Sequence, residues 1–332
     1  MPLEAPVMRT VRETIARAYA QRTFDGRDRC DGTQRRDQRE TPTRAFVDIR
    51  SAGGRGIIVS IQGEMRAFHR LLAENVVARV ASHIDPLDNV RIAAATGADP
   101  FVWTGGLSSR AQDYTGFQRA WQGRGVPTYL VDTGAGFTPV RENAAELRRT
   151  IERALNETGA DRVWVGGQSK GTIDTRWALQ HEPALLDSIN GAFLVVGPHR
   201  GGLTTHAGVA QAMRGVAERL PGPVRDHLRA STELMADSPE LRAINERLPG
   251  FLDDAPEHFV VHNFITDVMP RGLPSHDGLV PLASQRLIAH PRVVEHQLAH
   301  GPNYHITAHV NRQFTETVEG VMATRRLEAP IA

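Results

Sequence analysis

Apolar and polar positions follow two regimes along this chain, with the change near residue 98. Beyond it, short apolar runs alternate with amphipathic stretches, the pattern of βα units that build a mainly parallel sheet. Strands are predicted at 101–104, 127–132, 162–166, 192–197, 258–264 and 292–298. Helical spacing is clearest at 139–158, 170–181, 281–289 and 306–322. In the last of these Ile306, Val310, Phe314, Val318 and Met322 share one face, which predicts packing on the sheet. Residues 202–255 interrupt the alternation with short helical segments broken by Pro221, Gly222, Pro223, Pro239 and Pro249. Their place between two strands predicts a helical cap over the carboxyl ends of the sheet, where ligands bind in open α/β folds.

Before residue 98 the pattern is weaker. Residues 5–21 predict a helix, and 23–43 are so rich in Arg, Asp, Gly and Thr that they predict a loop or link. Two β-prone runs, 44–50 and 56–61, flank Ser-Ala-Gly-Gly-Arg and predict a hairpin. A helix follows at 65–84, with Phe68, Leu71, Leu72, Val76 and Val80 at helical spacing. The organisation expected is therefore an extension over 1–95 and one α/β domain over 96–332, with its cap at about 202–255.

Charge narrows the function classes. The 39 Lys plus Arg nearly balance 38 Asp plus Glu, so no broad field favours a nucleic acid backbone or an anionic membrane. The single cysteine, Cys30, excludes an internal disulfide framework. No run approaches the roughly 18 apolar residues of a membrane-spanning helix. Arg9, Arg12, Glu13 and Arg17 break up the first apolar stretch, so no secretory signal is expected and the expected compartment is the cytoplasm.

The sharpest local signal is Gly167-Gln168-Ser169-Lys170-Gly171, placed between a predicted strand and a predicted helix. A serine in a tight strand-to-helix turn is held out at the helix N-terminus, where the dipole favours developing negative charge; the flanking glycines let the turn close. A serine nucleophile needs a base and an orienting acid, in the chain order Ser, acid, His. Asp277, in the turn Ser275-His276-Asp277-Gly278, is the preferred acid, with Asp267 as its rival. His305, in a loop leading into the last helix, is the preferred base, with His300 and His309 as alternatives. The oxyanion that forms in acyl transfer needs backbone N–H donors. The amide of Lys170 follows the nucleophile directly, and the glycine pair Gly105-Gly106 after the first strand presents that of Leu107.

With these pieces in place the chain resembles the bacterial lipase and esterase branch of the α/β-hydrolases. The likeness rests on Trp103-Thr104-Gly105-Gly106-Leu107, the elbow around Ser169, Val195-Val196-Gly197-Pro198-His199-Arg200-Gly201-Gly202, Asp277-Gly278-Leu279-Val280-Pro281, and the run Met235–Asn245 in the cap. These motifs fall in the family's order over about residues 98–325. The resemblance implies an α/β-hydrolase fold, the triad Ser169, Asp277 and His305, and oxyanion donors at Leu107 and Lys170. It implies a structural or pocket-lining place for His199. The chain departs from the pattern at Gly105 and Gln168, where the family has His, and at Thr172, where a second Gly is common.

The expected function is cleavage of a small-molecule carboxylic ester through an acyl-enzyme, with no cofactor and no metal. The alternative is acyl transfer, thioester cleavage or cyclisation at the same Ser-His-Asp site. Met213, Leu234 and Met235 are expected to line an acyl pocket under the cap.

Overall fold

A computed structural model of the chain describes residues 88–107, 109–134, 137–202, 222–236, 238–267, 275, 277, 279–298 and 307–328. The helices expected at 5–21 and 65–84, the hairpin between them, Met213, His300 and His305 lie outside the described residues.

Among the described residues six strands form one sheet: β1 (Phe101–Thr104), β2 (Thr128–Leu130), β3 (Val163–Gln168), β4 (Ile189–Val195), β5 (Val260–Ile265) and β6 (Val293–Gln297). Their order is β2-β1-β3-β4-β5-β6, and every pairing is parallel. Each strand predicted beyond residue 98 has its counterpart here. The agreement has a physical source: β1, β3 and β4 are buried at every residue, so they appear in the sequence as continuous apolar runs rather than alternating ones.

Alternate side chains feed two cores. Val102, Val165, Ala192 and Leu194 point to one face, covered by α3 (Val140–Thr158), α4 (Lys170–His181) and α6 (Pro239–Asp254). Phe101, Trp103, Trp164, Phe193 and Phe264 point to the other, under α2 (Thr115–Gln122) and α8 (Arg312–Glu328). The aromatic face interlocks edge to face: Phe101 meets Trp103, Phe117, Trp121 and Phe193 at ring distances of 5.5–5.9 Å. The remaining α-helices among the described residues are α1 (Asn89–Thr96), α5 (Gly222–Glu233) and the short α7 (Leu282–Gln285).

Three local expectations are corrected. The last helix starts at Arg312, not 306, because the Asn311 side chain accepts from the Gln313 N–H and caps a new helix after a 3-10 turn over Ala308–Val310. Phe314, Val318 and Met322 are buried as predicted, but Val310 falls before the cap and is 57% exposed. The stretch 281–289 is helical only over Leu282–Gln285. Pro249 does not end a helix: it sits within α6 on that helix's exposed side. Pro239 starts α6 at its first position behind the N-cap Ser238, whose hydroxyl accepts from the Leu241 N–H.

Within the segment expected as a cap, Leu241, Ile244, Leu248 and Leu252 of α6 join the core beside α4. Leu234, just after α5, joins the same core. Met235 is buried as well. Among the described residues no helix is long and apolar enough to cross a membrane.

Candidate active site

The chain leaves β1 towards β2 on one side and returns to β3 on the other, so the sheet's order reverses between β1 and β3. The carboxyl ends of strands flanking such a reversal are where open α/β sheets bind ligands. The loop after β1 carries Gly105 and Gly106, and the turn after β3 carries Ser169.

Ser169 has φ 54° and ψ −122°, a backbone conformation that a residue with a side chain adopts only when its surroundings enforce it. The enforcement is visible. A Cβ at Gly167 would stand 2.4 Å from the Gly171 carbonyl oxygen, and one at Gly171 would stand 2.3 Å from that of Thr104. Only glycine at both positions lets the turn close this tightly on β1. Ser169 N–H donates to the Val195 carbonyl, and the Thr172 hydroxyl donates to the Ser169 carbonyl, so both ends of the serine peptide are fixed. Its side chain stays partly exposed while its neighbours are buried. The amide of Lys170, first in α4, has no partner within the helix.

The β1 loop touches this turn. A Cβ built on Gly106 would lie 3.2 Å from Ser169 Cβ and 3.8 Å from its Oγ. Gly106 is clamped on both sides: its N–H donates to the Tyr114 hydroxyl at 3.0 Å, and its carbonyl accepts from the Ser109 hydroxyl at 2.6 Å. Leu107, the next residue, is partly buried against the α3/α4 core.

Asp277 is fully buried. One of its oxygens accepts from the amides of Leu279, at 2.9 Å, and Val280, at 2.7 Å, which fixes the orientation of the carboxyl group. Gln285 fastens that turn to the end of β5, donating to the carbonyls of Thr266 and Val280 and accepting from the Thr266 N–H. The rival acid, Asp267, is partly exposed just beyond β5. Of the candidate bases, His309 packs its ring against Tyr114 at 5.1 Å, Phe117 at 5.6 Å and Trp103 at 6.2 Å. The structure thus brings Ser169 and the Gly105–Leu107 loop together and fixes Asp277 in its turn.

Behind the turn lie buried charges that the sequence does not announce as a group. Lys170 has a fully buried side chain and an ion pair with Asp174 at 2.8 Å, and Asn143 donates to the second Asp174 oxygen at 2.9 Å. Burial pushes the Asp174 carboxyl up against the pull of Lys170. Near them Glu233, at the end of α5, accepts from the Val140 N–H at the start of α3. Burial raises the Glu233 carboxyl from 4.5 to about 7, opposed by the Val140 bond and by Lys170. The folded protein therefore holds this proton more tightly than the unfolded chain. The stability so gained is complete below about pH 4.5 and is lost as pH rises through about 7, on the order of 3 kcal/mol. Glu233→Gln keeps an oxygen for Val140 and removes the charge. Urea unfolding midpoints compared at pH 5 and pH 8 should converge in this variant relative to wild type.

His199, for which the resemblance implied a structural or pocket-lining place, is held in a buried hydrogen-bond network. It is buried between Arg176 and Asn263. A guanidinium only donates, so His199 Nδ1 accepts from Arg176 and its Nε2–H donates to Asn263 Oδ1. Burial and the Arg176 charge hold the ring neutral. Arg176 also donates to the Ile244 carbonyl and the Asn245 side chain, tying α4 to α6. Asn263 donates on to the Gln285 carbonyl, so this chain of bonds ends at the Asp277 turn.

No family model matches the sequence, and no curated protein does. Solved structures do match. The chain is similar to the propeptide form of the lipase BlEst2 of Bacillus licheniformis, with a TM-score of 0.50 and 17% identity, over 72% of this chain and 52% of that one. The mature form of that lipase gives a TM-score of 0.49 and 17% identity, over 68% of this chain and 93% of that one. Lipase B of Aspergillus fumigatus gives 0.45 and 16%, over 67% and 48%. The chain thus spans about half the length of two of these proteins, and at such identities the likeness is one of fold.

Proposed function

Because the chain has the α/β-hydrolase fold, we propose that it is a serine hydrolase that cleaves a small-molecule carboxylic ester. The observation that carries this reading is Ser169 itself: a partly exposed residue in an enforced, rarely populated conformation, at the point where the sheet's order reverses. A structural serine has no use for that conformation, whereas a nucleophile must be lifted clear of its helix to meet a carbonyl carbon.

In this mechanism His305 takes the Ser169 proton as the oxygen attacks, and Asp277 orients the ring and stabilises its charge. The amides of Leu107 and Lys170 hold the oxyanion. The Gly106 N–H is engaged by Tyr114, which leaves the Leu107 amide as the donor of the β1 loop. The protonated His305 then hands its proton to the departing alcohol. Water, activated by the same histidine, releases the acid from the acyl-enzyme.

A series of p-nitrophenyl esters of increasing acyl length, with and without added amine, alcohol and thiol acceptors, tests the reading. Hydrolysis that is fast without an acceptor supports it. Acyl transfer that outpaces hydrolysis would make the protein a transferase instead.

A further inference from the structure

Tyr114 lies 54 residues before Gln168 in the sequence, yet its hydroxyl donates to Gln168 Oε1 at 3.0 Å while accepting from the Gly106 N–H at the same distance. One oxygen thus bridges the loop after β1 and the residue immediately before Ser169. The ring is 7% exposed and packs against His309, with Trp103 beyond it. It also occupies the space beside Gly105: a Cβ there would come within 2.6 Å of the Tyr114 ring and 2.8 Å of the Ser109 hydroxyl. Gly105 is therefore glycine because Tyr114 and Ser109 fill its side-chain space.

We propose that Tyr114 is a positioning residue that locks the oxyanion loop to the nucleophile turn through its hydroxyl, setting the distance between the Leu107 amide and Ser169. The proposal rests on the serine hydrolase reading for its catalytic half. Three features support it. The clamp on Gly106 is double, through Tyr114 and Ser109, so the residue that precedes Leu107 is held at both its own N–H and its own carbonyl. The bridge is buried, where a lost partner is not replaced by water and the orphaned amide must move to find another. Burial also raises the phenol's pKa, so Tyr114 keeps its proton and remains a donor to Gln168 across the working pH range. A displacement of about 1 Å between a catalytic group and its oxyanion donor is enough to cost on the order of 100-fold in rate.

Tyr114→Phe removes the bridge and keeps the ring. Two readouts are compared with wild type: kcat and KM on a p-nitrophenyl ester, and hydrogen exchange of the peptide spanning 102–110. The expected result is a kcat lowered about 10- to 100-fold with KM changed less than about twofold, together with faster exchange in the loop. Gln168→Leu should have a similar effect, and the double variant should be little worse than either single one, since both remove the same bridge. A merely structural role would lower the melting temperature without splitting kcat from KM in the folded enzyme. Unchanged exchange and unchanged kcat in Tyr114→Phe would overturn the proposal. If wild type showed no Ser169-dependent hydrolysis, the hydrolase reading and the catalytic half would fall together, and the exchange measurement would still decide whether Tyr114 holds the loop.

Discussion

Ser169→Ala and His305→Ala are each expected to lower kcat by about 10⁴- to 10⁶-fold, with folding intact. The size follows from what each removes. In the proposed mechanism no acyl-enzyme forms without the Ser169 hydroxyl, and without His305 nothing takes the proton as the bond forms. Because the two act in one step, the double variant should be little worse than either single one. His305 is the choice on grounds of chain order and its place in the loop before the last helix. The alternative nearest to it, His309, has its ring packed on Tyr114, Phe117 and Trp103, where it serves the aromatic core beneath the β1 loop. Steady-state kinetics on His300→Ala, His305→Ala and His309→Ala decide the assignment: near-wild-type activity for His305→Ala with loss at either of the others would show the base to be misplaced.

The largest effect on stability is expected at Asp174. Lys170 and Asp174 are both fully buried and form one turn of α4, at i and i+4, directly behind Ser169. Asp174→Ala leaves an ammonium group buried without its partner, which costs about 3–5 kcal/mol. For a domain of this size that corresponds to roughly 6–20 °C in melting temperature. The double variant Lys170→Met/Asp174→Leu, which removes both charges and fills the space with apolar atoms, should recover most of the loss, since a buried ion pair adds little over a well-packed apolar one. A thermal melt of the single variant within about 2 °C of wild type would contradict the account. The Lys170 amide would keep its place at the start of α4 in the double variant, so activity should survive there better than in Asp174→Ala.

What the sequence made legible divides along a physical line. Strands β1, β3 and β4 were legible because burial on both faces turns them into largely apolar runs, and the turn around Ser169 because its requirements are local: a strand, two glycines at fixed spacing, and a helix. Helix α2 was missed because only Phe117 and Trp121 mark its buried face in a polar stretch, with no side-chain cap to announce it. The start of α8 was misplaced because apolar spacing runs on through Val310, while the true signal was the capping asparagine at 311. The supports of the site were not legible at all. Tyr114 meets Gln168 across 54 positions, Asn143 meets Asp174 across 31, and Glu233 meets Val140 across 93. No periodicity encodes such partnerships, since the topology of the sheet creates them. The i, i+4 spacing of Lys170 and Asp174 was the one local hint. It fits an exposed helical pair equally well, and only the structure shows that the pair is buried.

The central claim, that Ser169 is an activated nucleophile, is tested most directly by covalent labelling. The folded protein is incubated with a fluorophosphonate, and the adduct is counted by intact mass and located by peptide mapping. The account predicts one phosphonyl group per chain, on Ser169, formed quickly in wild type, slowly in His305→Ala and not at all in Ser169→Ala. An unlabelled wild-type protein, or an adduct on another residue that persists in Ser169→Ala, would contradict it.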